Sequence, residues 1–527
     1  METNTRPRRT STDAADTSAS PTPVVAIIGA GMSGLLMGIR LKAAGIDTFT
    51  IYEKASEVGG TWRENTYPGL SCDVPSRFYS YSFEPNPDWT RCFSPGAEIQ
   101  EYFERVTDKY GLRPHIRFGT EIVRAGFENG RWHLRTGTGE QVVADFLVCA
   151  TGILHHPRHP DIPGLERFAG TAFHSARWDH SVEVAGRRVA LIGTGSTGVQ
   201  ITSAIASKVG RLLIFQRTPQ WIFPMPNMRY SRLTRAALRR SGTLNRLAYR
   251  GWQTFMETGA GQATVRPCWQ RSLFSWICRQ WLRTVRDPEL RRRLTPDHRP
   301  MCKRLVVSSG YFRAMQRPNV DLIAQDIDHV VGEGIVTRDG VLHKADVIVF
   351  ATGFDAHAYM RPIELVGDRR ITLEEAWRDG PRGYLTVALP GFPNLFTLVG
   401  PHSPFGNQSV ISIAEAQVDY VMKWLRLFQD GRVRQVAPTD EATTRFNEDL
   451  RRAMPATIWV TGCKSWYLGK DGIPVLWPWT PARHRELLAE PVLEDFALRD
   501  AACSRVLIGS AGTRCPAVSS GGEGPDD

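Results

Sequence analysis

Two segments of the chain share one pattern of hydrophobic and polar positions: a short apolar run, three glycines and a longer apolar stretch. The apolar runs cover residues 24–28 and 189–192. A run of that length beside turn residues predicts a buried strand, and the longer stretch predicts a helix. The glycines of both copies are spaced as GxGxxG, which in this context is the fingerprint of a dinucleotide-binding turn. The pattern predicts an α/β fold with two Rossmann-like dinucleotide-binding domains.

The three glycines of each turn have different physical roles. The first allows a tight turn, the second lets the backbone approach a pyrophosphate, and the third lets helix and strand pack closely. The helix N-terminus then offers free N–H groups to the phosphates. The first turn supplies Gly29, Gly31 and Gly34 as candidate cofactor contacts. The second turn and its helix supply the following candidates: Gly193, Thr194, Gly195, Ser196, Thr197, Gly198 and Gln200.

Opposite charges follow the two turns at the same distance. Glu53 lies 24 positions after Gly29, and Arg217 lies 24 positions after Gly193, each beyond the next predicted strand. A carboxylate at this place accepts hydrogen bonds from a ribose 2′-OH, whereas an arginine pairs with a 2′-phosphate. The first site is therefore predicted to hold FAD and the second NADPH. Glu53 by itself also fits NAD, and two strand-end surface charges would give the same residues without a ligand.

Further apolar runs at residues 144–152 and 345–354 each contain Ala-Thr-Gly and predict strands where the chain crosses between domains. We therefore expect the first domain to be discontinuous, with the second inserted into it. The predicted divisions are a disordered lead at 1–23, a first FAD-binding part at 24–155, an NADP-binding domain at 156–345 with a helical insert at 228–300, a second FAD-binding part at 346–500, and a flexible tail at 501–527.

The predicted insert carries the excess positive charge of the chain. The chain has 65 Lys and Arg against 54 Asp and Glu, and sixteen arginines with only four acidic residues lie between positions 229 and 299. Either its apolar stripe faces the core and its arginines are solvated, or the basic helices contact a membrane surface or another anionic partner. No aromatic-interleaved groove pattern indicates a nucleic-acid partner. The stripe that defines this amphipathic helix consists of Phe274, Ile277, Cys278, Trp281, Leu282 and Val285.

Composition narrows the class of protein further. At 527 residues, with 42% hydrophobic and 10% aromatic residues, the chain is predicted to form several well-packed units. No apolar stretch is long enough to span a membrane, and the N-terminal residues lack the apolar region of a secretion signal. We therefore expect a cytoplasmic protein. Its nine scattered cysteines show no metal-ligand spacing, which predicts reduced thiols and no metal site.

Two longer motifs carry a specific resemblance. Residues 168–179 read FAGTAFHSARWD and fit FxGxxxHxxxW followed by Pro or Asp. Residues 59–73 read GGTWRENTYPGLSCD and fit Ala or Gly, then GxWxxxx, then Phe or Tyr, then PGxxxD. The chain resembles the type I Baeyer-Villiger monooxygenases, of the class B flavoprotein monooxygenase family, over nearly its whole length. Related enzymes that oxygenate nitrogen or sulfur usually have Phe or Tyr where this chain has Trp178. Trp178 and Asp179 therefore favour the Baeyer-Villiger branch.

The resemblance implies that NADPH reduces FAD, that the reduced flavin captures dioxygen as a C4a-peroxide, and that this anion converts a ketone to an ester or lactone. It implies that Arg304 is the catalytic cation, since an arginine stays charged without titrating, and that Asp73 positions Arg304 against the flavin. The other cofactor contacts that it implies are Thr61, Trp62 and Tyr79 for the flavin, Thr218 and Lys303 for the 2′-phosphate, and Trp466 for the nicotinamide half.

Two other functions stay open at this point: a flavin monooxygenase that oxygenates sulfur or nitrogen, and an NADPH- and FAD-binding redox protein that does not oxygenate. His174 is expected to be a linker residue that couples domain movement to the state of the cofactor. Residues 461–479 depart from the pattern of the best-known members and are expected to line the substrate entrance. Substrate preferences of the family are therefore not carried over to this chain.

Overall fold

The computed structural model describes residues 22–463 and 465–499. The predicted lead up to residue 21 and the predicted tail from residue 501 lie outside the described residues. The helices are α1 (Met32–Ala43), α2 (Thr61–Glu64), α3 (Gly96–Lys109), α4 (Ser196–Ile205), α5 (Arg232–Arg240), α6 (Gly242–Met256), α7 (Gln262–Val265), α8 (Trp269–Leu282), α9 (Pro288–Arg293), α10 (Tyr311–Met315), α11 (Leu373–Ala376), α12 (Val410–Gln429), α13 (Asp440–Ala453) and α14 (Pro481–Leu487).

The strands are short and alternate with these helices along much of the chain. In the first half they are β1 (Val25–Ile28), β2 (Phe49–Tyr52), β3 (Ile116–Arg117), β4 (Ile122–Glu128), β5 (Arg131–Thr136), β6 (Gln141–Ala144), β7 (Phe146–Cys149), β8 (Thr171–His174), β9 (Arg188–Ile192), β10 (Arg211–Phe215) and β11 (Ile222–Phe223). In the second half they are β12 (Val306–Val307), β13 (Val320–Ile323), β14 (Ile327–Val331), β15 (Gly334–Thr337), β16 (Leu342–Lys344), β17 (Val347–Phe350), β18 (Glu364–Val366), β19 (Leu395–Thr397), β20 (Gln435–Pro438) and β21 (Phe496–Arg499).

The first sheet is parallel and has the strand order β19-β7-β1-β2-β3. All four residues of β1 and all four of β7 are buried, as expected for strands whose two faces are covered. The first glycine-rich turn joins β1 to α1, and β2 follows α1 beside β1. Strand order reverses on either side of β1, and a dinucleotide binds at the carboxyl ends of the strands at such a reversal.

The second sheet repeats this plan, with the parallel order β13-β10-β9-β17-β8. The second glycine-rich turn joins β9 to α4, and β10 follows beside β9. The predicted α/β fold with two dinucleotide-binding units is therefore confirmed. Strand β17 pairs with β9 in this sheet, so the expected division at 345/346 falls just before a strand of the second sheet, and we place the division after Phe350. The Ala-Thr-Gly pattern does not reveal to which sheet a strand belongs, because strands of both sheets carry it.

After Phe350 the chain forms β18, which pairs with β4 in a separate sheet, and β19, which pairs with β7 of the first sheet. The smaller sheets are β18-β4-β5-β6, β14-β15-β16, β11-β12 and β20-β21.

The arginine-rich insert is helical, from α5 to α9. In and after α8, the buried side chains of Cys278, Leu282 and Val285 join the hydrophobic core around the second sheet, while Arg279 and Arg283 are exposed. The apolar stripe predicted for this helix therefore faces the core.

No helix in the described part of the chain is long and apolar enough to cross a membrane. Within 22–463 and 465–499, no group of three or more His, Cys, Asp or Glu side chains could hold a metal ion.

The expectation of reduced thiols is wrong for one pair, because Cys302 and Cys463 form a disulfide. Their separation of 161 residues gives no sequence signal, and only the fold brings the two segments together. Cys503 and Cys515 lie outside the described residues. The free cysteines of the described part are Cys72, Cys92, Cys149, Cys268 and Cys278.

Candidate functional site

One large cavity, of about 1570 Å³, contains the carboxyl ends of strands from both parallel sheets. Both glycine-rich turns line it, and so do the segments around residues 59–74, 303–304 and 465–467. Pockets for a single small ligand usually measure roughly 300–1,000 Å³. The cavity is therefore large enough for more than one such ligand. A ligand bound at the first sheet and a ligand bound at the second sheet would come into contact in it.

The backbone of each turn can be formed only by glycine at its first position. Gly29 has φ +103° and Gly193 has φ +111°, in the left-handed region that side chains disfavour. A methyl group at Gly29 would lie 2.7 Å from the carbonyl oxygen of Ala150, and one at Gly193 would lie 2.4 Å from that of Ala351. The residue after β7 thus packs directly against the first turn, and the residue after β17 packs directly against the second turn.

The helices that follow the turns begin without a side-chain cap. Gly31 precedes α1 and Gly195 precedes α4, and neither helix has an acidic residue in its first turn. Their first N–H groups are therefore available to an anion at the cavity. The third glycines allow close packing, since a methyl group at Gly34 or Gly198 would lie within 2.2 Å of the carbonyl oxygen of the first glycine.

Glu53 is held rigidly at the end of β2. Its Oε2 accepts a hydrogen bond from the backbone N–H of Ala30 at 2.8 Å, and its Oε1 accepts one from the N–H of Ala55 at 2.9 Å. Arg63 lies 3.3 Å from the same Oε1, and only 5% of Glu53 is exposed. A carboxylate has about four acceptor positions, so these contacts leave capacity for one more donor in the cavity.

Two cations line the cavity near the second glycine-rich turn without a carboxylate partner among the described residues. Arg217 follows β10 and is exposed, and Lys303 is half-buried; neither has a hydrogen bond or ion pair among the described residues. Burial lowers the pKa of Lys303, Asp297 opposes that effect, and the charge of Arg217 lowers the pKa further. An anion between the two cations would remove this repulsion. Thr218 follows Arg217 in the cavity wall, and its carbonyl oxygen accepts a hydrogen bond from Thr194 Oγ1 at 3.0 Å.

Arg304 and Asp73 form a two-point ion pair across 231 residues of sequence. Arg304 Nε donates to Asp73 Oδ2 at 2.7 Å, and Nη2 donates to Oδ1 at 2.6 Å. A third donor, Nη1, reaches the carbonyl oxygen of Phe405 at 3.2 Å. The Asp73 carboxylate raises the pKa of Arg304 above its ordinary value, so the guanidinium stays charged. About 37% of the Arg304 side chain is accessible, and this residue lines the cavity.

Aromatic side chains surround this ion pair. Trp62 Nε1 donates to the hydroxyl of Tyr79 at 3.1 Å, and the two rings meet edge to face. Burial raises the pKa of Tyr467 to about 12, and the charge of Arg304 acts in the opposite direction. Trp466, 42% exposed, contacts Tyr467 and lines the same cavity. Thr61, at the start of α2, lies on the cavity wall beside Trp62.

Gln200 has a different environment from the one expected of a simple cofactor contact. Its Oε1 accepts a hydrogen bond from the hydroxyl of Tyr67 at 2.9 Å, and its Nε2 donates to the carbonyl oxygen of Ser71 at 2.9 Å. Gln200 is on α4 of the second unit, whereas Tyr67 and Ser71 belong to the segment after α2. The amide thus joins the two nucleotide-binding units. Ser196 and Thr197, one turn earlier on α4, line the cavity.

His174 is the last residue of β8, the edge strand of the second sheet. Its Nδ1 accepts a hydrogen bond from the N–H of Ala176 at 3.1 Å, and its buried Nε2 has no partner among the described residues. Burial lowers the pKa of His174 to about 4. Trp178 is buried and packs edge to face on Phe173. The motif at residues 168–179 therefore has a packing role beside the second sheet and does not line the cavity.

Three contacts in the site were missed by sequence reasoning. The carbonyl of Phe405 binds Arg304, Tyr467 packs near it, and Tyr67 bonds to Gln200. Phe405 and Tyr467 lie outside the two motifs at residues 59–73 and 168–179, so the motifs give no signal for them. Tyr67 is a restricted position of the motif at residues 59–73, but the motif does not state which atom it contacts.

The chain matches known proteins over most of its length. Residues 23–364 match the family model described as flavin-binding monooxygenase-like. A Baeyer-Villiger monooxygenase of Streptomyces coelicolor is 42% identical over 470 residues, which cover 88% of this chain and 90% of that protein. An uncharacterized monooxygenase of Mycobacterium tuberculosis is 53% identical over 483 residues, which cover 92% of this chain and 97% of that protein. The crystal structure of a Rhodococcus cyclohexanone monooxygenase bound to NADP+ aligns with a TM-score of 0.81 at 31% identity, covering 92% of this chain and 100% of that one.

Proposed function

The chain belongs to the flavin-binding monooxygenase-like family and, within it, to the Baeyer-Villiger monooxygenases, and from this premise we propose that it converts ketones to esters or lactones with NADPH and dioxygen. The observation that carries the proposal is the Arg304–Asp73 ion pair, which holds a permanent positive charge inside the cavity shared by the two nucleotide-binding turns.

The residues around the first turn fit FAD. Gly60, at φ +54°, lies so close to Gly31 that a methyl group on Gly60 would be 3.1 Å from the Gly31 Cα, so the backbone alone forms the cavity wall there. Gly29, Gly31 and the first N–H groups of α1 would bind the pyrophosphate, and Glu53 would accept the ribose hydroxyl. Thr61, Trp62 and Tyr79 would bind the flavin half.

The residues around the second turn fit NADPH. Gly193, Gly195 and the first residues of α4, Ser196 and Thr197, would bind its pyrophosphate. The unpartnered charges of Arg217 and Lys303, beside Thr218, suit a dianionic 2′-phosphate better than a neutral ribose. Trp466 would pack on the nicotinamide half.

Together FAD and NADPH supply hydride transfer and oxygen activation when they are bound. The chain itself supplies a fixed positive charge beside the reacting atoms. Arg304 donates to Asp73 with Nε and Nη2, and one N–H on Nη1 and one on Nη2 stay free to donate. These N–H groups can stabilise negative charge on the reacting oxygen atoms and on the carbonyl oxygen of the ketone.

Asp73 is a positioning residue in this scheme. Its carboxylate fixes the plane of the guanidinium and keeps it protonated at every working pH, so that no proton has to move when the charge develops. Buried Cys72, Tyr79 and Tyr467 cover part of the pair and keep water from that side, which strengthens its electrostatic contacts.

The proposed organisation follows the sheets. Residues 24–155 and those after Phe350, up to about 500, form the FAD-binding unit, and 156–350 form the NADP-binding unit with its helical insert at 228–300. We place the protein in the cytoplasm, with a ketone and dioxygen as its small-molecule partners and no nucleic acid.

A side-by-side assay of ketones and sulfides tests the proposal. Linear, cyclic, aromatic and steroid ketones, and matched sulfides, would be incubated with the holoenzyme and NADPH, and the products would be identified by mass spectrometry. We expect esters or lactones that depend on NADPH and dioxygen. Sulfoxides or N-oxides without any ester would favour heteroatom oxygenation, and NADPH consumption that yields only hydrogen peroxide with every substrate would favour a redox protein without oxygenation.

A further inference from the structure

A second surface with distinctive chemistry lies on the helical insert, apart from the cavity. It is formed by α5 and α6, and we call it the α5–α6 face. Residues 229–256 contain seven arginines, no lysine and no acidic residue. Among these arginines, within the described residues, only Arg239 has a carboxylate within ion-pair distance, Asp88 at 2.5 Å. The exposed arginines of the face are Arg229, Arg232, Arg239, Arg240, Arg246 and Arg250.

Large apolar side chains are exposed on the same two helices. Leu233 on α5 is 83% exposed, and on α6 Leu247 is 58%, Phe255 is 46% and Leu244 is 45% exposed. The spacing of the three α6 residues puts them on one side of the helix. Single exposed apolar residues are ordinary, but a group of them among cations of which only Arg239 is paired in the described part of the chain marks an interaction surface.

A groove runs between the two helices. It has a volume of about 590 Å³ and is lined by Ala237 and Leu238 of α5 and by Ala248 and Trp252 of α6, among other residues. The cations outside and the apolar walls inside make the groove amphipathic.

Arg77 adds a buried charge to the groove. Only 5% of Arg77 is exposed, and its Nη1 and Nη2 atoms have no hydrogen-bond partner in the described part of the chain. Its guanidinium carbon lies 4.0 Å from the centre of the Tyr230 ring, and no described carboxylate pairs with it. A buried cation without a counter-charge is unfavourable, and because its Nη atoms are covered, an anion at the groove would offset this charge through space and not by direct contact.

We propose that the α5–α6 face docks the protein on bilayers that contain anionic phospholipid. Guanidinium groups bind lipid phosphates in two-point fashion, and their aliphatic stems lie along apolar surface. The leucines and Phe255 enter the boundary between headgroups and acyl chains, which is how basic amphipathic helices bind membranes without crossing them. A nucleic acid would leave the apolar cluster in water, and a neutral apolar partner would leave the arginines and Arg77 uncompensated.

Co-sedimentation of the holoenzyme with vesicles tests the proposal. Vesicles of phosphatidylcholine alone are compared with vesicles in which part of that lipid is replaced by phosphatidylglycerol, at low and at high salt. The charge variant is Arg240→Glu with Arg250→Glu, and the apolar variant is Leu233→Ser with Leu247→Ser; all four side chains are exposed, so folding is preserved. The matched charge control is Arg313→Glu with Arg317→Glu, two exposed arginines outside the face.

We expect binding to the anionic vesicles only, weakened by salt. Each cation at an anionic surface contributes about fivefold in affinity, so the charge variant should lose at least about 25-fold. The apolar variant should also lose binding, and the control should bind like the unmodified protein. Equal binding to both vesicle types, or an unchanged charge variant, would overturn the proposal. So would a stable dimer that the apolar variant dissociates, or an oligonucleotide that binds where vesicles do not.

Discussion

Replacing Arg217 tests how the second nucleotide site selects its coenzyme. Arg217 lines the cavity without a carboxylate partner, beside a lysine whose pKa its charge lowers. In the proposed complex, Arg217→Ala removes a charge-assisted hydrogen bond to the 2′-phosphate, which contributes about 1.5–3 kcal/mol. Because the guanidinium is exposed and solvent screens its charge, we expect the lower part of this range, a loss of roughly 10- to 30-fold.

The assay compares KM for NADPH with KM for NADH at a saturating ketone concentration. NADH lacks the 2′-phosphate, so its KM should change less than about twofold, and the yield of ester per coenzyme consumed should be unchanged. Arg317→Ala is the matched control, because Arg317 is exposed and lies outside the cavity. An equal rise in both KM values would refute the reasoning, since it would mean that Arg217 does not distinguish the phosphate.

Three further changes have defined outcomes. Burial lowers the pKa of Lys303, so the native enzyme should lose NADPH affinity as pH rises through that lowered pKa. Lys303→Arg should keep its NADPH affinity over the same pH range, because arginine stays charged. An identical rise of the KM for NADPH at alkaline pH in both proteins would contradict this. Tyr67→Phe removes the hydrogen bond to Gln200 between the two units and should lower stability by about 0.5–1.5 kcal/mol in thermal unfolding, and an unchanged midpoint would count against the contact. Burial lowers the pKa of His484 to about 3, so the neutral ring stabilises the fold above the unfolded pKa and this stability is lost as pH falls. From pH 7 to pH 5 the loss should be about 2 kcal/mol, and His484→Gln should lose correspondingly less over that interval in chemical unfolding.

Local chemistry explains why the positions of the two glycine-rich turns and of the charges that follow them could be predicted. The two glycine turns constrain their own backbone, and the charge after the next strand must lie at the carboxyl edge of the sheet, where Glu53 and Arg217 are found. These features depend on short stretches of chain. The helical character and the core-facing stripe of α8 followed from periodicity for the same reason.

Long-range contacts could not be predicted. Nothing in the sequence shows that the amide of Gln200 bonds to Tyr67 and Ser71, because Gln200 and Ser71 are not motif positions and Tyr67 satisfies its motif without them. The Cys302–Cys463 disulfide depends on two loops that meet only in the folded chain. The Arg304–Asp73 pair was implied by resemblance, whereas its two-point geometry and the third bond to Phe405 come from the structure.

The function of Arg304 is the central claim, and single-turnover kinetics of Arg304→Met test it most directly. Flavin reduction by NADPH would be followed by absorbance, and ester formation on mixing with dioxygen and ketone would be quantified in the same sample. Loss of one preorganised donor to developing charge usually costs about 10²- to 10³-fold, so we predict reduction within a few-fold of normal and ester yield at least about 100-fold lower, with hydrogen peroxide in its place. A normal ester yield would contradict the account.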